Sequence, residues 1–200
     1  MVEFSSYDLS KFEFHVAGAR AWGITSALAA AGYYSGDFSK VPQWKRDRGT
    51  AVAKAVSNWV MELDGVVRPN TPLAQFVRAL QREQLRPVAS EFFLPGLIDG
   101  YLPFVAIPDL VALDRSDNLV LINVKCGRDK PVYGIQTAAE AIALHQAGID
   151  IHERMTLSLY NDRYDLTRHR RAQDYQEFVR VVRKLGLRNA SYETASPPAS

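Results

Sequence analysis

The chain has 200 residues, a hydrophobic share of 47% and a formal net charge of +2. These values fit a single globular domain with a sizeable core, and the small net charge excludes a polycation. The single cysteine, Cys126, excludes an internal disulfide framework and a cysteine-based zinc site. Because no apolar run approaches the ~18 residues of a membrane span and no signal peptide is evident, we expect a cytoplasmic protein with no membrane contact.

The N-terminal quarter predicts a strand, a short helix and a loop. Residues 1–20 mix aromatic and polar positions and are expected to hold the strand. An Ala-rich stretch over residues 24–31 predicts a helix that ends at Gly32. Residues 33–44 carry glycine, aspartate, serine and proline, which is loop chemistry.

Two amphipathic helices are predicted next. The first begins near Arg48 and ends by Gly65. Its apolar stripe consists of Val52, Val56, Trp59, Val60 and Leu63. The second opens at Thr71-Pro72, with threonine as the N-cap and proline in the first turn, and Pro87 stops it.

A strand is then predicted over residues 88–94, followed by a hairpin. The hairpin pairs residues 103–113 with residues 118–125, and the polar segment 115–118 forms its turn. Both hairpin strands are mainly apolar, which is typical of strands that are buried on both faces.

The last third predicts a helix over residues 133–146, a strand over 155–160 and a C-terminal helix around 175–185. The order of elements favours a mixed β-sheet flanked by helices, an α/β (α+β) sandwich. We expect a single domain over residues 1–190 and a disordered tail over residues 191–200, which is small, polar and proline-containing.

The predicted hairpin carries polar groups where a buried strand should carry none. Asp109 interrupts one apolar run, and Asn123 and Lys125 interrupt the other. A buried charge is costly unless it is paired or holds a metal. Residues two apart on a strand share a face, so Asn123 and Lys125 point the same way, and the hairpin brings Asp109 alongside them.

This pattern suits a metal-dependent site that cleaves phosphodiesters. Such a site needs a divalent cation to polarise the phosphate and a cationic or basic group near the attacking water. Mg²⁺ prefers oxygen ligands, and the chain offers Glu91, Asp109 and Asn123, with the carbonyl of Val124 as a further donor. Lys125 is the cationic partner.

The order of these residues resembles that of the PD-(D/E)XK nuclease superfamily. The matching segments are Glu91, then Ile107-Pro108-Asp109, then Asn123-Val124-Lys125, then Gln136. Within the superfamily the chain is similar to the RecB-like and lambda-exonuclease-like members of phages and bacteria. The helix at Arg48-Gly49-Thr50-Ala51-Val52 resembles their Gly-x-x-x-His helix, and Gln136-Thr137-Ala138-Ala139-Glu140 resembles their Gln-x-x-x-Tyr motif.

The resemblance covers roughly residues 48–160 and implies a restriction-endonuclease-like fold, a mixed sheet flanked by helices. It implies an exonuclease-like enzyme that cuts DNA with Mg²⁺ or Mn²⁺, inside a bacterial cell or in host cytoplasm if phage-encoded. Homo-oligomerisation or a protein partner in recombination would also fit such a protein.

Roles follow from the resemblance residue by residue. Asp109 would be the central metal ligand and Glu91 an additional carboxylate ligand. Asn123 stands at the acidic ligand position, next to the Val124 carbonyl. Lys125 would position the attacking water or stabilise the developing charge, and Gln136 would orient Lys125 or contact the substrate backbone.

The chain departs from the family pattern at three positions. Asn123 replaces the acidic residue before the lysine, Ala53 replaces the helix histidine, and Glu140 replaces the tyrosine. Asparagine offers a neutral carbonyl oxygen but no negative charge for a metal. Glu140 lies one helical turn after Gln136 and could restore a carboxylate from the helix.

Two functions remain open on the sequence. The first is an active metal-dependent DNA nuclease, impaired to some degree by Asn123. The second is a catalytically inactive nuclease-fold protein that binds DNA or a protein partner in phage recombination or defence. Asn123 could also be an engineered inactivating change, although the changes at Ala53 and Glu140 argue against a single designed replacement.

Candidate nucleic-acid contacts lie outside the hairpin. Trp44 stands in a run with Lys45, Arg46 and Arg48, where an aromatic ring and cations together favour DNA binding. The last third is also basic, through Arg154, Arg163, Arg168, Arg170, Arg171, Arg180, Arg183, Lys184 and Arg188. Those charges either track a phosphate backbone or form an ordinary mixed-sign surface with nearby carboxylates.

Overall fold

The structure, a computed structural model, describes residues 4–8, 13–16, 19–34, 42–62 and 67–193. These ranges contain five helices and ten strands. The helices are α1 (Ile24–Ala30), α2 (Gln43–Glu62), α3 (Pro72–Glu83), α4 (Pro131–Gln146) and α5 (Gln173–Glu193). The strands are β1 (Phe4–Asp8), β2 (Glu13–Val16), β3 (Ala19–Gly23), β4 (Arg86–Ala89), β5 (Leu94–Ile98), β6 (Leu102–Ala106), β7 (Leu110–Leu113), β8 (Leu119–Cys126), β9 (Glu153–Leu159) and β10 (Tyr164–Arg168).

The described strands form two mixed five-stranded sheets. One has the order β1-β2-β3-β6-β5, and the other has the order β10-β9-β8-β7-β4. Each sheet contains one parallel pair, β3 with β6 and β8 with β9, while the other neighbours are antiparallel. The predicted mixed α/β (α+β) class is therefore confirmed, although the strands divide into two sheets. None of the described helices combines the length and the apolar character needed to cross a membrane.

Helix α4 lies between the two sheets. Its Ile135 and Ala139 pack in a core with Phe104 of β6, and its Leu144 packs in another core with Leu121 of β8. Apolar side chains therefore surround the helix, which explains why its sequence shows no sharp amphipathic stripe. Helices α2 and α3 cover the opposite face of the second sheet.

Several predicted elements are confirmed. Helix α1 ends near Gly32, whose φ is 84°. Thr71 caps α3, because its hydroxyl accepts a 3.2 Å hydrogen bond from the amide of Ala74. The predicted stripe of α2 packs against the second sheet, with Trp59 edge-on to Phe76 at 5.8 Å between centroids. Leu63 and Gly65 lie outside the described residues.

Other predicted boundaries are wrong. Helix α2 begins at Gln43, five residues before the predicted start. The predicted strand over residues 88–94 is two strands, β4 and β5, because Glu91 adopts a left-handed φ of 50° in a bend between them. A strand needs an extended backbone, and a left-handed residue breaks the ladder. Strand β10 was not predicted.

The segment 103–113 is also two strands rather than one. Strand β6 pairs with β5 in the first sheet, and β7 pairs with β8 in the second. The chain changes sheets at residues 107–109, where Pro108 has no N–H to donate to a ladder. The predicted pairing of residues 110–113 with β8 is confirmed, with Leu110 opposite Ile122.

The predicted domain of residues 1–190 and tail of residues 191–200 stay predictions. Helix α5 continues to Glu193, and residues 194–200 lie outside the described part of the chain.

Candidate functional site

Asp109 ends the link between the two sheets and reaches across to β8. Its Oδ2 accepts hydrogen bonds from the Val124 amide at 2.8 Å and from Lys125 Nζ at 3.1 Å. The proximity that the sequence predicts for Asp109 and Lys125 is thus present. The contact of Val124 with Asp109 runs through its N–H, whereas the sequence had singled out its carbonyl. The side chain of Asp109 is 30% exposed and that of Lys125 is 23% exposed, so both are partly open to solvent.

Lys125 is held in its charged form. Burial alone would lower the pKa of its ammonium group, but the charges of Asp109 and Glu140, with the hydrogen bond to Asp109, raise that pKa above the ordinary value. Its Nζ also lies 5.7 Å from the centre of the Tyr133 ring, a cation–π distance. A cation held by Asp109 and left partly open to solvent is positioned to stabilise negative charge on a substrate.

Asn123 is fully buried on the same face of β8 as Lys125. Neither its Oδ1 nor its Nδ2 has a hydrogen-bond partner among the described residues. Buried amides are normally paired, since each unpaired polar atom costs free energy. The structure therefore puts an uncompensated oxygen donor two residues before the lysine.

Glu140 projects into the site from α4 and is only 1% exposed. Its Oε1 accepts a 2.9 Å hydrogen bond from the Gln136 amide, and its Oε2 has no partner among the described residues. Burial, followed by the charge of Asp109, raises the pKa of Glu140 to about 8, against the smaller lowering by Gln136 and Lys125. Gln136 thus bonds the carboxylate beside Lys125, whereas the sequence had placed it on Lys125 or on a phosphate.

Glu91 is less closely tied to the site. Glu91 is exposed, and its amide donates a 2.9 Å hydrogen bond to the carbonyl of Pro108. Among the described residues, no three or more His, Cys, Asp or Glu side chains form a group that could hold a metal ion. The predicted ligand set is thus only partly brought together, with Asp109 and Asn123 on adjacent elements and Glu91 at the periphery.

A cavity of about 310 Å³ opens beside the pair. Asp109 and Lys125 line it together with Gly49 and Ala53, which stand one turn apart on α2. The helix that resembles the Gly-x-x-x-His helix therefore faces the candidate site. Cys126 also lines the cavity and is exposed.

The start of α2 carries the predicted nucleic-acid contacts. Trp44, Lys45, Arg46 and Arg48 belong to its first two turns rather than to a loop. Trp44 is 60% exposed, and Lys45 Nζ stands 5.4 Å from the centre of its ring. Arg48 donates a 3.0 Å hydrogen bond to Asn161. An exposed indole and cations thus precede the helical turns that line the cavity.

Two tyrosines, Tyr34 and Tyr133, also lie near Lys125. The sequence did not mark them as a pair. Burial raises the pKa of Tyr34 and of Tyr133, against the smaller lowering by the positive charge of Lys125. Tyr34 follows α1 and Tyr133 lies in the first turn of α4. Tyr34 has no periodic neighbours in sequence, so no sequence signal marked it.

The basic last third is largely neutralised. Six of its arginines have a carboxylate within ion-pair distance: Arg154, Arg163, Arg168, Arg170, Arg180 and Arg183. Arg154 is buried and contacts Asp174 at 3.6 Å. This pairing favours the mixed-sign surface over a continuous phosphate-binding face.

A scan of the sequence against protein-family models finds no match, and a search of curated proteins finds no similar one. The functional assignment therefore depends on the site geometry and on the motif resemblance.

Replacing Glu140 by glutamine should change how stability depends on pH. The folded-state pKa of about 8 lies above the ordinary value of 4.5, so the folded chain holds this proton more tightly than the unfolded chain. The stabilisation is fully present below the unfolded pKa and is lost as the pH rises through the folded pKa. Glu140→Gln has no such loss and keeps the acceptor for Gln136.

We therefore expect the unfolding free energy of Glu140→Gln, relative to the wild type, to rise by more than about 1.4 kcal/mol between about pH 5 and about pH 9. Urea unfolding at a series of pH values measures this difference. Parallel stability curves for the two proteins would contradict the burial of an ionisable Glu140.

Proposed function

We propose that the chain is a divalent-metal-dependent DNA nuclease with a restriction-endonuclease-like fold of the PD-(D/E)XK type and exonuclease-like activity. The observation that carries this proposal is the 3.1 Å contact between Asp109 and Lys125 at the edge of the cavity. Gly49 and Ala53 of α2 line the same cavity. Their position supports the proposal, because the resemblance of α2 to the family's Gly-x-x-x-His helix does not depend on the hairpin residues.

The donor set fits a hard divalent cation such as Mg²⁺ or Mn²⁺. Asp109 supplies a partly exposed carboxylate, and both hydrogen bonds that it accepts from described residues end on Oδ2. Asn123 supplies the buried, unpartnered Oδ1, and Glu91 and the Val124 carbonyl are the remaining donors that the resemblance implies. A bound cation would polarise the scissile phosphate and lower the pKa of its water.

The protein groups have separate tasks in this proposal. Lys125 stabilises the charge that develops on the phosphate, and Asp109 keeps its ammonium group in place. Gln136 fixes the carboxylate of Glu140 behind Lys125. Trp44, Lys45, Arg46 and Arg48 contact the DNA as it enters the cavity, through charge and stacking.

One observation favours a second candidate, an inactive nuclease-fold protein that binds DNA or a protein partner. Asn123 is neutral, and no acidic group of three or more forms among the described residues. A charged ligand contributes several kcal/mol to metal binding even in a partly screened site, and each ~1.4 kcal/mol is tenfold in affinity or rate. Activity, binding and partner capture therefore need separate measurement.

Cleavage of end-labelled linear duplex and single-stranded DNA in Mg²⁺ or Mn²⁺ tests the nuclease proposal. We expect slow cutting by the wild type, and Lys125→Ala should reduce the rate by roughly a hundredfold or more, because the charge on the reacting phosphate loses its cationic partner. Asn123→Asp should raise the rate.

The matched control is Lys54→Ala, a lysine on the exposed part of α2, which should cut like the wild type. If neither the wild type nor Asn123→Asp cuts but DNA is bound, the inactive-protein candidate replaces the nuclease. If neither cuts nor binds DNA, a protein partner is the better assignment.

The start of α2 generates a further prediction about DNA affinity. Lys45→Ala with Arg46→Ala should weaken DNA binding in chelator and reduce the slope of log affinity against log salt by about two, one for each lost phosphate contact. Fluorescence anisotropy over a salt series measures both quantities. Arg115→Ala, in the exposed turn at the far end of the β7–β8 hairpin, is the control, and an equal effect there would exclude a local contact.

A further inference from the structure

Buried polar side chains concentrate between α4 and the sheet. Of the nine buried polar or charged residues described, Gln75 lies elsewhere. The other eight are Asn123, Gln136, Thr137, Glu140, Arg154, Thr156, Ser158 and Asp174, which we call the α4 polar layer. Strand pairing puts Asn123 beside Thr156 and Lys125 beside Ser158 within this layer.

The two ends of the α4 polar layer differ in how their groups are satisfied. At one end Arg154 donates to the Gly134 carbonyl at 2.8 Å and contacts Asp174, so charge and hydrogen bonds are matched. At the other end Asn123 Oδ1 and Glu140 Oε2 are both buried and lack partners among the described residues. Two buried oxygens without described partners, one on β8 and one on the helix packed against it, are what a cation would satisfy.

The carboxylate that the hairpin lacks is thus present on the helix. Glu140 is close enough to Asp109 and Lys125 for each to act on it electrostatically. Its hydrogen bond to Gln136 uses Oε1 and directs the other oxygen away from that amide. Asn123 and Glu140 therefore offer one amide oxygen and one carboxylate oxygen from facing elements.

We propose that Glu140 is a metal-ligating residue that takes over the task of the missing acidic side chain at position 123, binding one divalent cation with Asp109 and Asn123 Oδ1. This inference rests on the proposed nuclease function and assigns to Glu140 a role for which the sequence offered only its helical spacing. The negative charge of the site is then two carboxylates, supplied by one strand end and one helix.

The competing explanation is that Glu140 serves only as a buried counter-ion of Lys125. A counter-ion needs charge but no specific geometry toward Asn123, so Glu140→Asp, which keeps the charge, would then bind Mn²⁺ like the wild type. A ligand does need that geometry, and a carboxylate restored at position 123 should replace it.

The test measures Mn²⁺ binding in two ways, by electron paramagnetic resonance of free Mn²⁺ and by the rise in melting temperature on adding Mn²⁺. Four proteins are compared: the wild type, Glu140→Gln, Asn123→Asp, and the double variant Asn123→Asp with Glu140→Gln. Glu140→Gln should weaken Mn²⁺ binding by about tenfold or more, and the double variant should recover most of that loss. Glu153→Gln, at the opposite end of β9, is the matched control and should bind like the wild type.

Three results would overturn the inference. The first is that Glu140→Gln binds Mn²⁺ as tightly as the wild type. The second is that the double variant melts as cooperatively as the wild type but does not recover Mn²⁺ binding, and the third is that only proteins with Asn123→Asp bind Mn²⁺. Circular dichroism melting in chelator identifies a variant that fails to fold. If Glu140→Gln fails to fold, Glu140→Asp replaces that variant. Glu140→Asp keeps the charge but shortens the side chain, and it should also weaken Mn²⁺ binding.

DNA cleavage by the same four proteins and by Lys125→Ala separates this inference from the proposed function. Glu140-dependent Mn²⁺ binding without cleavage by any of the four would uphold the metal site and reject the nuclease. Cleavage that survives Glu140→Gln but is lost in Lys125→Ala would uphold the nuclease and reject Glu140 as a ligand.

Discussion

The carboxylate of Asp109 joins the point where the chain changes sheets to the end of β8. Pro108 ends the ladder of the first sheet. The carboxylate of Asp109, the next residue, accepts hydrogen bonds from the amide of Val124 and the ammonium of Lys125. This arrangement orients Lys125 and leaves it partly open to solvent. It also sets the position of Asn123, which must face α4 once Lys125 does.

Helix α4 completes the site because it is buried between the sheets. A helix with apolar contacts on both sides would normally carry no carboxylate, since an isolated buried charge is costly. Glu140 is tolerated there because the Gln136 amide bonds it and Lys125 lies nearby, although its raised pKa shows that burial still opposes its charge. Packing does not explain a buried glutamate, because alanine or leucine would pack at least as well. The proposed role of Glu140 as a metal ligand explains it better.

The candidate site was predictable where polar residues break an apolar strand pattern. Asp109, Asn123 and Lys125 stood out because strands have a period of two and buried strands lack charge. Helices α1 and α4 were equally predictable from their alanine-rich runs, and α3 from its threonine N-cap. The division into two sheets was not, since residues 103–106 and 110–113 are both apolar and only the pairing of distant strands distinguishes them.

Long-range burial also explains the other differences. Helical spacing placed Glu140 on the face of Gln136 but could not show that this face meets β8. Tyr34 lies near Lys125 because α1 packs against α4, which no local pattern encodes. Glu91 was expected on a strand, yet its left-handed backbone puts it in a bend. Basic residues of the last third were ambiguous in part because some of their carboxylate partners lie far away in sequence, as Asp99 does from Arg183.

A crystal structure of the wild-type chain grown with Mn²⁺ tests the central claim most directly. The anomalous signal of manganese locates the ion without reference to activity or to any variant. The account predicts one strong peak within coordination distance, about 2.2 Å, of oxygens from both Asp109 and Glu140. A peak bound by Asp109 without Glu140, or none in this site while Glu140 remains bonded only to Gln136, would contradict it.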